Sequence, residues 1–136
     1  MNEYENLVAT LKSAGQSLRT LHHNLVGPEW FPTHALLGEY YAKIDDIEDA
    51  MVEIGMSQGI TETGMAEAIQ TVKPLTVKDR SAKESLKAAK DILQSVIDAM
   101  ATVREMVEDE WICSKIDSFN EWLVLEVDYK LERAIR

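Results

Sequence analysis

The residues of this chain able to do chemistry are its three histidines, His22, His23 and His34, and the carboxylates that follow them, Asp45, Asp46, Glu48, Asp49 and Glu53. Imidazole nitrogen combined with carboxylate oxygen is a donor set suited to iron. Asp49 and Glu53 stand one helical turn apart, so both can converge on one ion. The spacing also sets a condition. His34 and Asp49 fall in one helical segment, where a rise of about 1.5 Å per residue separates them by about 22 Å. One copy of the chain therefore does not wrap these residues around one ion. If they share a metal, a second copy must bring its Asp49 and Glu53 to the first copy's His22 and His34. Taken singly, each residue has a plainer reading: a histidine near a helix end caps it, and a run of acids forms a solvated face.

The elements that must position these residues follow from apolar spacing. Tyr4, Leu7, Leu11, Ala14, Leu18, Leu21 and Leu25 step by three and four, which predicts a helix A from about residue 2 to 26. Gly27-Pro28 should end it, glycine supplying a left-handed cap and proline being unable to extend the ladder. Pro32 suits a first helical turn, and Leu37, Tyr40, Ile44, Ile47, Met51 and Ile54 predict a helix B from about 32 to 58. Residues 59 to 80 read as a long connection with a short helix over Met65 to Val72. Ser81-Ala82-Lys83-Glu84 is a capping box that starts helix C, whose seam is Leu86, Ala89, Leu93, Val96, Met100, Val103 and Val107. After a break near Glu108-Asp109-Glu110, Ile112, Phe119, Leu123, Val127, Leu131 and Ala134 give helix D. The expectation is an all-α chain, with residues 1–136 forming a single antiparallel four-helix bundle of ferritin-like type.

Composition narrows the partners. With 24 acidic against 14 basic residues the formal net charge is −10, a field that repels nucleic-acid phosphate and attracts cations. No apolar stretch approaches the roughly 20 residues of a membrane span, so no membrane partner is expected, and the expected location is the cytoplasm. The single cysteine, Cys113, has no internal disulfide partner and sits in an apolar helical pattern, which marks a packed thiol. The Glu-x-x-His spacing of ordinary di-iron bundles is absent, as are a glycine-rich phosphate loop and a Cys-His pairing. Glu126, flanked by Leu125 and Val127, is expected either at the surface or lining an internal cavity of an assembled shell.

The segment His22-His23-Asn24-Leu25-Val26-Gly27-Pro28, with Phe31 and His34, resembles the helix A to helix B signature of the Dps mini-ferritins. That family usually shows His-Trp-Asn-Val-Lys-Gly-Pro and a second histidine twelve residues after the first, as here. Its next carboxylates lie fifteen and nineteen residues beyond the second histidine, where this chain has Asp49 and Glu53. The resemblance covers residues 20 to 54, about a quarter of the chain. It implies a ferroxidase site at a two-fold interface, with His22 and His34 from one subunit and Asp49 and Glu53 from its mate. It further implies iron oxidised by hydrogen peroxide or dioxygen and stored in a homo-oligomeric shell, a dodecamer, protecting against peroxide and iron toxicity.

Two departures stand out. Gly38 occupies a position where the family usually has another acidic ligand, and Glu39 beside it is rotated by about 100° around the helix. His23 replaces the usual tryptophan and either adds a ligand or faces solvent, the second being the expectation. The first residues lack the basic tail through which some members bind DNA, so direct DNA binding is not expected. The rival expectation is a non-enzymatic shell-forming or interaction protein that keeps the bundle while Gly38 marks weakened iron chemistry.

Overall fold

The computed structural model describes residues 2–136. Its order is α1 (Glu3–His23), α2 (Trp30–Ser57), α3 (Met65–Thr71), α4 (Ala82–Met106), α5 (Glu110–Leu125), a π-helical segment (Glu126–Leu131) and α6 (Glu132–Ile135). The last three run on without a break in helical backbone, so they form the fourth rod of the bundle. The predicted all-α bundle, including the short helix in the long connection, is therefore what the chain forms. Among the described residues no helix is long and apolar enough to cross a membrane.

The seams meet in one core that includes Leu7, Leu11, Leu18, Leu37, Ile44, Met51, Leu93, Met100 and Leu123. Burying each such side chain contributes about 1.5–3 kcal/mol. α1 packs on α2 and α4, and α4 on α5 and the π-helical segment. The connection between α2 and α4 climbs the length of α1. Thr63 Oγ1 donates to the Glu5 carbonyl at 3.4 Å, the Leu75 amide donates to Ser17 Oγ at 3.0 Å, and the Val26 amide donates to the Arg80 carbonyl at 3.0 Å. Between the first two, buried Lys12 bridges Glu48 of α2 at 2.9 Å and Glu62 of the connection at 3.0 Å. This strap explains why α1 buries Thr10, Ser13, Ser17 and Thr20 as well as its apolar seam.

Two boundaries depart from the expectation, each for a local reason. α1 stops at His23 because Asn24 caps it, its Nδ2 donating to the Thr20 carbonyl at 2.9 Å, while Leu25 is drawn into a backbone bridge with Arg80. Gly27 does take a positive φ of 92°, but inside the turn and not as the helix cap. α2 begins two residues early, at Trp30, behind Glu29 in the left-handed region at φ 67°. A non-glycine residue there carries a strain of about 1–2 kcal/mol. At the other corner the break falls at 107–109, and the Cys113 thiol donates to the Val107 carbonyl at 3.4 Å. The Ser81–Glu84 capping box forms as expected.

Glu126 is neither at the surface nor facing an open cavity: it is 4% exposed. The Tyr40 hydroxyl donates to its Oε2 at 2.8 Å and Lys130 pairs with its Oε1 at 2.7 Å. Burial, with this carboxylate beside it, pushes the Tyr40 phenol well above its ordinary pKa. The cause of Glu126's placement lies in the helix. Leu123, Val127 and Leu131 follow each other by four, and in a straight α-helix each such step drifts by about 40°. The wider π-helical turn absorbs that drift and keeps Leu131 in the core, while Glu126, whose amide still bonds back to the Trp122 carbonyl, faces inward by the α-helical step of three from Leu123. Past it, Ile135 packs on the core and Ala134 is exposed, the reverse of the expected seam.

Because Glu126 is buried, Tyr40→Phe leaves its carboxylate one partner short. The expected loss is about 1–3 kcal/mol of stability. Urea unfolding followed by circular dichroism measures it; a midpoint equal to wild type would show that the phenol bond adds nothing.

Candidate metal centre

The α1–α2 corner places His22, in the last turn of α1, against His34, in the second turn of α2. The two imidazoles exchange backbone bonds. His22 Nδ1 lies 2.7 Å from the His34 carbonyl oxygen, and His34 Nδ1 lies 3.0 Å from the His22 carbonyl oxygen. A carbonyl only accepts, so each Nδ1 must carry the proton and each Nε2 is left with its lone pair. The rings stack with centroids 3.6 Å apart and planes 21° apart. Fixing Nδ1 in this way selects the tautomer and aims the other nitrogen, which is how metal-binding histidines are usually held. Burial is the main influence on His22, and it holds that imidazole below its ordinary pKa, favouring the neutral form that binds a cation.

Other side chains frame the pair. Trp30 stacks on His34, and Tyr41 meets the His22 ring edge-on at 5.3 Å. Arg19 lies over the Tyr41 ring at 4.6 Å and forms an ion pair with Asp45. Gly38 faces His22: a Cβ built there would stand 3.2 Å from Cε1 of that imidazole. His23 is exposed, its ring 5.3 Å from that of His22, as expected for a solvent-facing residue.

Asp49 and Glu53 lie far along α2 from this corner and are exposed. By helical rise Asp49 is about 22 Å from His34. Among the described residues neither carboxylate is held in a hydrogen bond or ion pair, and no cluster of three or more histidine, cysteine, aspartate or glutamate side chains is arranged to hold a metal ion. The chain thus brings His22 and His34 together and keeps Asp49 and Glu53 apart from them. Asp45 and Glu48, by contrast, are engaged within the chain, by Arg19 and Lys12. Apart from Pro32 and Ser57 at its ends, the exposed residues of α2 form one stripe, Phe31, Ala35, Glu39, Ala42, Asp46, Asp49, Glu53 and Met56, spaced by three and four.

Sequence reasoning missed Trp30 and Tyr41. Their signal was present: Trp30, His34, Gly38 and Tyr41 are spaced four, four and three, which puts them on one face of α2. The reciprocal backbone bonds left no such trace.

No family model and no curated protein matches the chain. Solved structures do. The antigen TpF1 from Treponema pallidum superposes with a TM-score of 0.91 at 19% identity, over 98% of this chain and 89% of that one. The CAIP protein of Helicobacter cinaedi gives 0.88 at 17% identity over 99% and 100%, respectively. A Dps protein from Bacillus brevis gives 0.88 at 21% identity, over 98% and 93%. These likenesses span nearly the whole chain at identities where fold outlasts sequence, and the chain is accordingly built on the ferritin-like four-helix fold of the Dps proteins.

Proposed function

We propose that the protein oxidises Fe(II) and stores the ferric product inside a hollow dodecameric shell of its own copies, limiting damage by iron and peroxide. The observation that carries this reading is the His22–His34 pair, whose Nδ1 atoms are committed to backbone carbonyls and whose Nε2 lone pairs are left for a cation. Asp49 and Glu53 of the partner subunit complete the site. Two α2 helices laid antiparallel about Ala42 bring residue 34 of one opposite residue 50 of the other, between Asp49 and Glu53. Ala42 is exposed and small, which permits close approach there. The net charge of −10 draws Fe(II) toward the protein.

In the reaction, each of two Fe(II) ions gives up one electron, and hydrogen peroxide takes both with two protons to form two waters. Dioxygen serves as the alternative oxidant. The residues of this chain hold the substrate metal in two orientations of donor, neutral imidazole from one subunit and carboxylate from the other, and leave coordination positions for the oxidant. A second reading, a shell-forming protein with weakened iron chemistry, is favoured by Gly38, which supplies no carboxylate beside His22. Iron titration with peroxide consumption separates the two.

Four outcomes are expected. His22→Ala and Glu53→Ala should each slow Fe(II) oxidation by at least about tenfold, the lower end of what loss of outer-shell partners costs, with the helical circular dichroism intact; unchanged rates in both reject the assignment. Ala42→Trp should separate the paired subunits in sedimentation and lower oxidation with them, while each chain stays folded. In proton NMR titrations His22 should show a midpoint below 6.5. The sign follows from its depressed folded-state pKa: the stability tied to this group is fully present above about pH 6.5 and is lost as pH falls through the folded value. His22→Gln should flatten that part of the stability–pH curve.

A further inference from the structure

His34 has a second ring against it that the donor set does not use. On the face turned away from His22, the Trp30 indole stacks with centroids 4.1 Å apart and planes 13° apart. The imidazole is therefore sandwiched, His22 on one side at 3.6 Å and Trp30 on the other. Trp30 is itself anchored, its Nε1 donating to the Leu25 carbonyl at 2.9 Å across the corner.

The hydrogen bond at Nδ1 fixes one point of the His34 ring and still lets the plane tilt about it. A metal–imidazole bond needs the Nε2 lone pair, which lies in the ring plane, so a tilt turns the donor away from the ion. Parallel planes on both faces remove that freedom before the metal arrives, and an ordered donor loses less entropy on binding. From this geometry, and resting on the function proposed above, we infer that Trp30 is a positioning residue: its flat face, not its Nε1–H, sets the affinity of the His22–His34 pair for divalent metal.

The two roles of Trp30 separate by substitution. Trp30→Phe keeps an aromatic plane over His34 and loses the bond to Leu25. Trp30→Leu keeps apolar bulk and loses the plane. Cobalt(II) alone, titrated anaerobically into the full-length protein and read by its visible absorption, reports affinity and ligand geometry without turnover. Trp30→Leu is expected to weaken cobalt(II) binding by about tenfold and to alter the band shape, the size typical for loss of a group that orients a ligand. Trp30→Phe should stay within about twofold of wild type although its thermal midpoint falls, because only the corner bond is gone. Affinity that follows thermal stability in both variants, or equals wild type in Trp30→Leu, overturns the inference.

A second measurement covers the case in which Trp30→Leu does not fold. The chain has three tryptophans, Trp30, Trp111 and Trp122, so a Trp111→Phe, Trp122→Phe protein emits from Trp30 alone. Its fluorescence should be quenched by cobalt(II) at the same concentrations that develop the visible band; a band without quenching also overturns the inference. Wild-type protein that binds no cobalt(II), or binds it unchanged in His22→Ala, removes the functional reading and this inference together, whereas the outcomes above remove the inference alone.

Discussion

Two imidazole N–H groups donating to each other's main-chain carbonyls hold the corner on which this structure turns. A main-chain carbonyl withdrawn from water needs a donor, and a helix end leaves several without one. At the α1–α2 corner His34 meets that need for the His22 carbonyl at the end of α1, and His22 answers by donating to the His34 carbonyl inside α2. The same two bonds join the last turn of α1 to α2, select a tautomer for both rings and present the remaining nitrogens together. Structure and chemistry here share atoms, which ties any change at the corner to both.

The rest of the fold keeps that corner where it is. The strap from α2 to α4 is fastened along α1 near Glu5, at Ser17 and beside Leu25, and Lys12 joins α1, α2 and the strap through Glu48 and Glu62. Burial by itself would lower the Lys12 pKa, but its two carboxylate partners prevail and hold it above the ordinary lysine value. The outcome is a cation kept charged where α1 has almost no contact with water. The opposite flank of α2 carries no strap, and it is there that Asp49 and Glu53 stand exposed.

Much of this was legible in the residues, and the part that was not has identifiable causes. Apolar steps of three and four marked the helices because burying one face of a helix imposes that period, and Ser81-Ala82-Lys83-Glu84 marked a helix start because its reciprocal bonds are local in sequence. Thr10, Ser13, Ser17 and Thr20 concealed the back face of α1, since small polar residues suit a surface as well as a place beneath a strap. Glu126 misled for a related reason: what accepts it in the core is Tyr40, 86 positions away. At the site, helix spacing alone separated the histidines from Asp49 and Glu53, and the structure keeps them separate. The stacking of His34 between His22 and Trp30 depends on how two helix ends meet, which no single helical period records.

The π-helical turn has a meaning in terms of chain length. A wide turn holds one residue more than the α-helical turn it replaces, so the fourth rod carries a surplus residue that its hydrogen-bond ladder accommodates without a loop. Such a surplus is the mark a single-residue insertion leaves in a helix, and here it falls between Glu126 and Leu131, just ahead of α6. The gain or loss of one residue in this stretch would thus be taken up by a change in turn width, with the rod ahead of Glu126 keeping its packing.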